Sequence, residues 1–324
     1  MYEEFFKQTT EYIKQLVSDE YEVFASENIK NNGVVLHGIS IRNKNERLSP
    51  VFYLDGYVGI EPKAAAQQIV QKYREVKEQE VPFNIDMLTD FNQVKDMICY
   101  KVINKDANEE LLQDVPYDEI AGDLCAIYYL DIGNDASITI RTGMLDLWGI
   151  SADKLYDYAD VNTQRLHPAT FRSMAETMID IMSGGNLMEM KMQFGKMNLS
   201  DDEFKREIVK ELDKDNPIPI YVLQGDGAFG ASVLLYDNVM SEVREHFNGN
   251  YFILPSSISE LLVVKDDGVI DVRTLQEMVL EVNEIEVSET ERLSDTVYYC
   301  NEKGIIAVDD NFVQARTSRE VDVR

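Results

Sequence analysis

Residues 217–265 read PIPIYVLQGDGAFGASVLLYDNVMSEVREHFNGNYFILPSSISELLVVK. Apolar runs at Ile218–Leu223, Ala231–Tyr236, Tyr251–Leu254 and Leu261–Lys265 alternate with a glycine-rich turn, a helix-like segment and a Pro-Ser-Ser turn. Short runs rich in β-branched and aromatic residues, bounded by turn residues, mark strands. Within the stretch, Gly225-Asp226-Gly227-Ala228-Phe229-Gly230 fits G-x-G-x-x-G. A dinucleotide site needs a strand before those glycines and a helix directly after them. The strand is predicted at Ile218–Leu223. Ala231–Tyr236, however, is short, rich in Val and Leu, and ends at Asp237-Asn238, which suits a helix N-cap. No run of βαβ units surrounds the motif. The spacing of Ala231, Leu235, Val239, Val243 and Phe247 would also fit one long helix, but the preferred reading is a hairpin at the glycines and then a helix over 238–247.

Leu254-Pro255-Ser256-Ser257-Ile258-Ser259-Glu260 gathers three hydroxyls and a carboxylate. A nucleophilic serine needs a base within hydrogen-bond reach. The chain holds only His37, His167 and His246, none of them local. Ser257-x-x-Glu260 instead fits a capping box, closing a short helical turn before a strand at Leu261–Lys265.

Working outward, Tyr2, Phe5, Phe6, Thr9, Tyr12, Ile13 and Leu16 recur at three- and four-residue steps and predict a helix. Strands are predicted at Tyr21–Ala25, Val34–Arg42 and Pro50–Asp55, the first two turning at Asn31-Asn32-Gly33. His37 falls on the apolar face of the second and reads as a core histidine. Pro62 opens a helix, since proline lacks only an amide that would be unpaired there. Asp90–Ile98 is read as a helix and Tyr100–Asn104 as a strand. Asp106, Asn108 and Glu110 alternate like a calcium loop but lack its glycine. Leu124–Ile132 and Ala136–Arg141 make a hairpin at Gly133-Asn134-Asp135. A short helix at Met144–Trp148 precedes one that runs to about Asn162. His167 follows in a loop at 163–168, held extended by Pro168. Phe171, Met174, Ala175, Met178, Ile179 and Met182 predict another helix. A methionine-rich stretch, Leu187–Met197, a charged helix at Asp201–Leu212 and a linker-like Asp213–Pro219 lead back to the opening stretch. A helix through Val272 and Val282, a hairpin around Asn301-Glu302-Lys303-Gly304 and a mobile tail at Arg316–Arg324 complete the chain.

The pattern is α+β, with mixed or antiparallel sheets under packed helices. A boundary is placed near 115. It gives units at 1–115 and 116–324, with the methionine-rich segment near 183–200 as a connection in the second.

Lys plus Arg is 31 and Asp plus Glu is 59 in 324 residues, a formal charge of −28. Phosphate contacts need a positive surface, so nucleic acid is not an expected partner. The acid surplus favours solubility and a protein partner with basic character. Cys99, Cys125 and Cys300 show no CxxC spacing and read as reduced, buried thiols of a cytoplasmic protein. The acidic Met1-Tyr2-Glu3-Glu4 start is not a signal peptide, and no apolar run approaches a membrane span. No H-E-x-x-H or Cys/His cluster is present, so neither metal nor cofactor is assigned.

Asn162-Thr163, Arg165-Leu166 and Pro168 occur in order with Gly230-Ala231, Leu234-Leu235-Tyr236, Leu254-Pro255-Ser256-Ser257 with Glu260, Leu293-Ser294-Asp295 and Val297-Tyr298. In this combination the chain resembles a domain-of-unknown-function family of anaerobic gut Gram-positive bacteria. More distantly it is similar to another uncharacterised Gram-positive family. The resemblance implies a cytoplasmic, soluble α+β protein and nothing sharper about activity. Its members often carry a histidine before the glutamate of the Pro-Ser-Ser segment, where this chain has Ser259. Asn162, His167, Ser256, Ser257 and Glu260 are the candidate binding residues. A non-catalytic binding or interaction protein is the first expectation, with contacts at Leu187–Met197 and around Pro255. A hydrolase-like site at the Pro255-Ser256-Ser257 turn is the alternative, and an acidic decoy of a DNA-binding protein the second.

Overall fold

The computed structural model describes residues 2–46, 49–78, 85–133, 136–214 and 218–322. Helix α1 (Tyr2–Leu16) leads into a meander of β1 (Tyr21–Ile29), β2 (Val35–Asn43) and β3 (Val51–Tyr53), and α2 (Pro62–Glu78) packs beside α1. Ile13 of α1, Ile39 and Ile41 of β2, and Ile69 and Tyr73 of α2 close this first core. His37 shares the Ile39 face but sits at the core's open edge. It stacks on Phe6 with ring centroids 4.2 Å apart, and its Nδ1 lies 3.1 Å from Asp55.

The second sheet takes β4 (Ile98–Asn104), which follows the one-turn helix α3 (Phe91–Val94) and precedes another, α4 (Glu109–Leu112). Strands β5 (Tyr117–Ala121), β6 (Leu124–Asp131) and β7 (Ser137–Thr139) complete it. β4 pairs with β6 from Ile98↔Leu130 to Asn104↔Leu124, while β5 and β7 also pair with β6. Residue 115 therefore lies between strands of one sheet. The predicted helix at Asp90–Ile98 is interrupted: after α3 the chain tightens into a 3₁₀ turn at Lys95–Met97, and β4 begins at Ile98.

Helices α5 (Thr142–Trp148) and α6 (Asp153–Leu166) then cover the sheet. α6 runs a turn beyond the predicted end because Asn162 and Thr163, both buried, face β4 rather than solvent. Strand β8 (Ala169–Ser173) follows where a helix was predicted. Phe171 fits a helix stripe in sequence but pairs with Leu223, and the helix α7 (Met174–Ser183) starts only at the Ser173–Glu176 capping box. α7, α8 (Leu187–Gln193) and α9 (Asp201–Lys214) share a satellite core of Ile179, Met190, Phe204 and Ile208. Residues 215–217 of the expected linker lie outside the described residues.

The third sheet is built by β9 (Ile220–Gly225), β10 (Tyr251–Leu254), β11 (Leu261–Lys265), β12 (Tyr298–Asn301) and β13 (Gly304–Ala307) with β8, in the order β13-β12-β10-β11-β9-β8. Every pairing in it is antiparallel. Between β9 and β10 lie a 3₁₀ turn at Gly230–Leu235 and the helix α10 (Asp237–Phe247). The helix is where the sequence put it, but the glycines form no hairpin, because Ala231–Tyr236 winds up instead of extending. Tyr100, Tyr128 and Leu130 of the second sheet and Leu223, Ile253, Val263 and Tyr298 of the third meet in the largest core, with α6 and α10 contributing. Each such side chain contributes roughly 1.5–3 kcal/mol on leaving water. The opposite face of the third sheet, with Phe252, Leu254 and Val264, is covered by α11 (Val272–Ile285) and α12 (Asp310–Asp322). The tail expected to be mobile from Arg316 is thus helical to Asp322, anchored by a paired Arg316–Asp266 contact at 2.8 Å. The fold is α+β. No helix among the described residues is long and apolar enough to cross a membrane.

Candidate functional site

Strand alternation divides β4 between two environments. Ile98, Tyr100 and Val102 enter the main core, while Cys99, Lys101 and Ile103 point the other way, opposite Tyr129, Ile127 and Cys125 of β6. Asp131 ends β6 on that second face. His167 caps the C-terminus of α6 with φ −125° and ψ 68°, turned out of the helix before Pro168. Its Nε2 lies 3.0 Å from Asp131 Oδ2 and 3.2 Å from the Tyr129 hydroxyl. Cys99 Sγ completes the group: one ligand atom each from Cys99, Asp131 and His167 lie within 4.8 Å of one another. Cys99 is fully buried, whereas the Asp131 and His167 side chains keep about 20% of their surface open to solvent. Burial pushes the Cys99 thiol up to about 12, and pushes the Tyr129 hydroxyl up as well.

The glycine motif is explained by this histidine. A Cβ on Gly225 would stand 3.3 Å from the His167 carbonyl oxygen, and one on Gly227 would stand 3.2 Å from His167 Nδ1. Gly227 also has φ +85°, which L side chains rarely adopt. A Cβ on Gly230 would fall 2.1 Å from the Ser259 carbonyl oxygen. Asp226 N–H donates to the Pro168 carbonyl at 3.1 Å and Ala231 N–H to that of Ile258 at 3.0 Å. The three glycines let one loop lie flat between the histidine turn and the Pro-Ser-Ser turn.

Beside this cluster the same sheet face lines a cavity of about 550 Å³. Lys101, Ile103 and Ile127 of the sheet line it together with Phe229, Ile258, Lys30 and Asn31, and two carboxylates, Glu110 and Glu291, also reach it. The Lys101 ammonium lies 4.4 Å from the centre of the Phe229 ring. Burial, with Lys30 adding to it, pushes Lys101 down to about 8. Among the described residues neither lysine makes an ion pair. The wall carrying Lys30 is held by asparagines. Asn31 Nδ2 donates to the Thr290 carbonyl at 3.0 Å, Asn32 Nδ2 to those of Glu289 and Arg292 at 2.8 and 2.7 Å, and buried Asn108 donates to both asparagine side chains. This is the work of the segment whose acids imitated a calcium loop.

The residues singled out in the sequence take different places. Asn162 is structural: its Nδ2 donates to the carbonyls of Lys95 and Ile98 at 2.9 and 3.0 Å, fixing the entry to β4. Ser256 is buried, and its carbonyl accepts from Leu293 N–H at 3.1 Å. Ser257 Oγ accepts from Ser259 N–H at 3.0 Å, and its backbone bridges to Arg292. The predicted capping box does not form, because bonds to 291–294 hold the turn extended and no helical turn precedes β11. Glu260 is half-buried, which pushes its carboxyl upward. No hydrogen bond among the described residues joins His167 to Ser256 or Ser257. In the methionine-rich stretch Met190 is buried, while Met188, Met192 and Met197 are exposed. His246 packs among Phe171, Tyr221 and Phe247.

Sequence reasoning missed Cys99, Lys101, Tyr129 and Asp131. One signal was available: Lys101 interrupts the apolar run Ile98–Ile103, and a lone charge in a strand that is otherwise buried is an anomaly. None of the curated proteins and none of the solved structures compared with the chain matches it. A family model does, over residues 2–302, so the chain belongs to the DUF5688 family, a family of unknown function.

Proposed function

We propose that the protein binds a small organic acid in the cavity floored by Lys101. The observation that carries this reading is a pair of lysines, Lys101 and Lys30, facing one cavity without a carboxylate partner in a chain of net charge −28. Glu110 and Glu291 also line the cavity, but among the described residues neither pairs with Lys101 or Lys30, so the two ammonium groups favour an anion from outside the chain. The volume of about 550 Å³ suits a small molecule. Ile103, Leu111, Ile127 and Phe229 offer an apolar body its contacts, and the lysines take the anionic head. Arg141, also at the wall, is already paired with Asp114.

The reading favours binding over hydrolysis at the Pro-Ser-Ser turn, where the hydroxyls of Ser257 and Ser259 bond backbone groups. The three cysteines are free and buried, which supports a reducing, cytoplasmic setting. The test is calorimetric titration of the full chain with organic acids and their neutral amides. Acids should bind and amides should not, and Lys101→Met should weaken the best acid by about 10–100-fold, the value of one or two charge-assisted hydrogen bonds. Equal binding of acid and amide, or an unchanged affinity in Lys101→Met, would refute the reading.

A further inference from the structure

We propose that Cys99, Asp131 and His167 form a mononuclear site for a zinc-class divalent cation, with the Tyr129 hydroxyl beside its open fourth position. The donors come from three separate places in the chain, β4, the end of β6 and the turn after α6, and converge on one point. Their types are those a borderline-soft ion selects: a thiolate, an imidazole and a carboxylate. Bonds of about 2.0–2.3 Å give tetrahedral edges of roughly 3.5 Å. The ligand atoms, within 4.8 Å of one another, reach that spacing by side-chain adjustments on the order of an ångström.

His167 Nε2 supplies a second, independent argument. A ring nitrogen makes one good in-plane hydrogen bond, yet Asp131 at 3.0 Å and Tyr129 at 3.2 Å both approach this one, with the Cys99 sulfur nearby. A cation at the shared point takes the Nε2 lone pair and a carboxylate oxygen directly and leaves the tyrosine hydroxyl to the fourth ligand. The imidazole is already aimed, because the backbone of Gly227 backs its Nδ1 edge. Charge closes as well: one thiolate and one carboxylate neutralise a divalent ion. Binding forms the metal–sulfur bond and sends the thiol proton to solvent. The partly open Asp131 and His167 side chains give a path in, and the buried sulfur is the inner ligand.

The test uses the full chain, reduced and stripped with a chelator, titrated with Co²⁺ alone. A near-ultraviolet thiolate-to-cobalt absorption saturating at about one equivalent, and displaced by Zn²⁺, is expected. Asp131→Asn removes a ligand and should weaken Co²⁺ binding by more than the roughly 10–100-fold that loss of an outer-shell partner costs. Cys99→Ala should abolish the band, while a Cys125→Ala/Cys300→Ala double variant, in which Cys99 is the remaining thiol, should keep it. If Cys99→Ala fails to fold by circular dichroism, the double variant decides. Absence of the band in the wild-type chain, its survival in folded Cys99→Ala, or its loss from a folded double variant overturns the proposal.

Discussion

The two faces of β4 and β6 use the same backbone for opposite purposes. On one, Ile98, Tyr100, Val102, Ala126, Tyr128 and Leu130 are dry and packed against the third sheet. On the other, Cys99, Lys101, Tyr129 and Asp131 put a thiol, an amine, a phenol and a carboxylate within a few side chains of one another. A strand buried on both faces ordinarily reads as continuous apolar sequence. Here the period of two is kept, but the second face is chemically equipped and only partly filled. One face pins the register to the residue, since a slip by one position would place Lys101 in the core. The other face inherits that precision.

The contrast can be broken most severely from the dry side. Ile98→Ala removes a fully buried side chain from the main core and should cost about 3 kcal/mol in urea unfolding. An equal loss on truncating Ile98 and Lys101 would erase the distinction between the faces. Gly227→Ala attacks the loop over His167. It forces a left-handed alanine and brings a methyl to 3.2 Å from Nδ1, so a loss of about 2 kcal/mol is expected by the same measurement. Lys101→Met should move the opposite way. Removing an unpaired, desolvated ammonium should raise stability by about 1 kcal/mol while ligand affinity falls.

The smallest effect concerns Glu260, at the edge of the Pro-Ser-Ser turn. Burial raises its folded-state pKa, so the folded protein holds a proton that the unfolded chain releases first. Stability therefore falls as pH rises from the unfolded value through the folded one, and stays lower above it. Glu260→Gln should melt slightly above wild type at pH 7, and the difference should vanish near pH 3, where both states are protonated. A difference independent of pH would assign the effect to packing.

Much of the architecture is local and could be read in advance. Pro62 opens α2, α10 covers the predicted 238–247 although Asp237 is its first residue and not its cap, and the Asn301–Gly304 turn joins β12 and β13. Where the reading failed, two local codes were both satisfied and tertiary pairing chose between them. Phe171 fits a helix stripe and a strand, and Leu223 settles it. Ser257 and Glu260 fit a capping box, but Leu293 and Arg292 claim the backbone that would have to wind. The candidate site was the least legible part. Residues 99, 131 and 167 are linked by no spacing in sequence, only by the pairing of β4 with β6 and the length of α6. His167 alone was singled out, on the strength of a proline, and its partners came from strands that read as plain core.

The asparagine clasp has a consequence for the spacing of the two lysines. Lys30 and Asn31 belong to the unit with its own core in α1, α2 and β1–β3, whereas Lys101 belongs to the second sheet. The cavity between them is thus a seam, and the bonds of Asn31, Asn32 and Asn108 are its stitching. Those bonds set where Lys30 stands relative to Lys101, so under the proposed binding the clasp fixes the spacing between the two charges: Asn32→Ala should weaken the best acid in the calorimetric titration although it touches neither lysine.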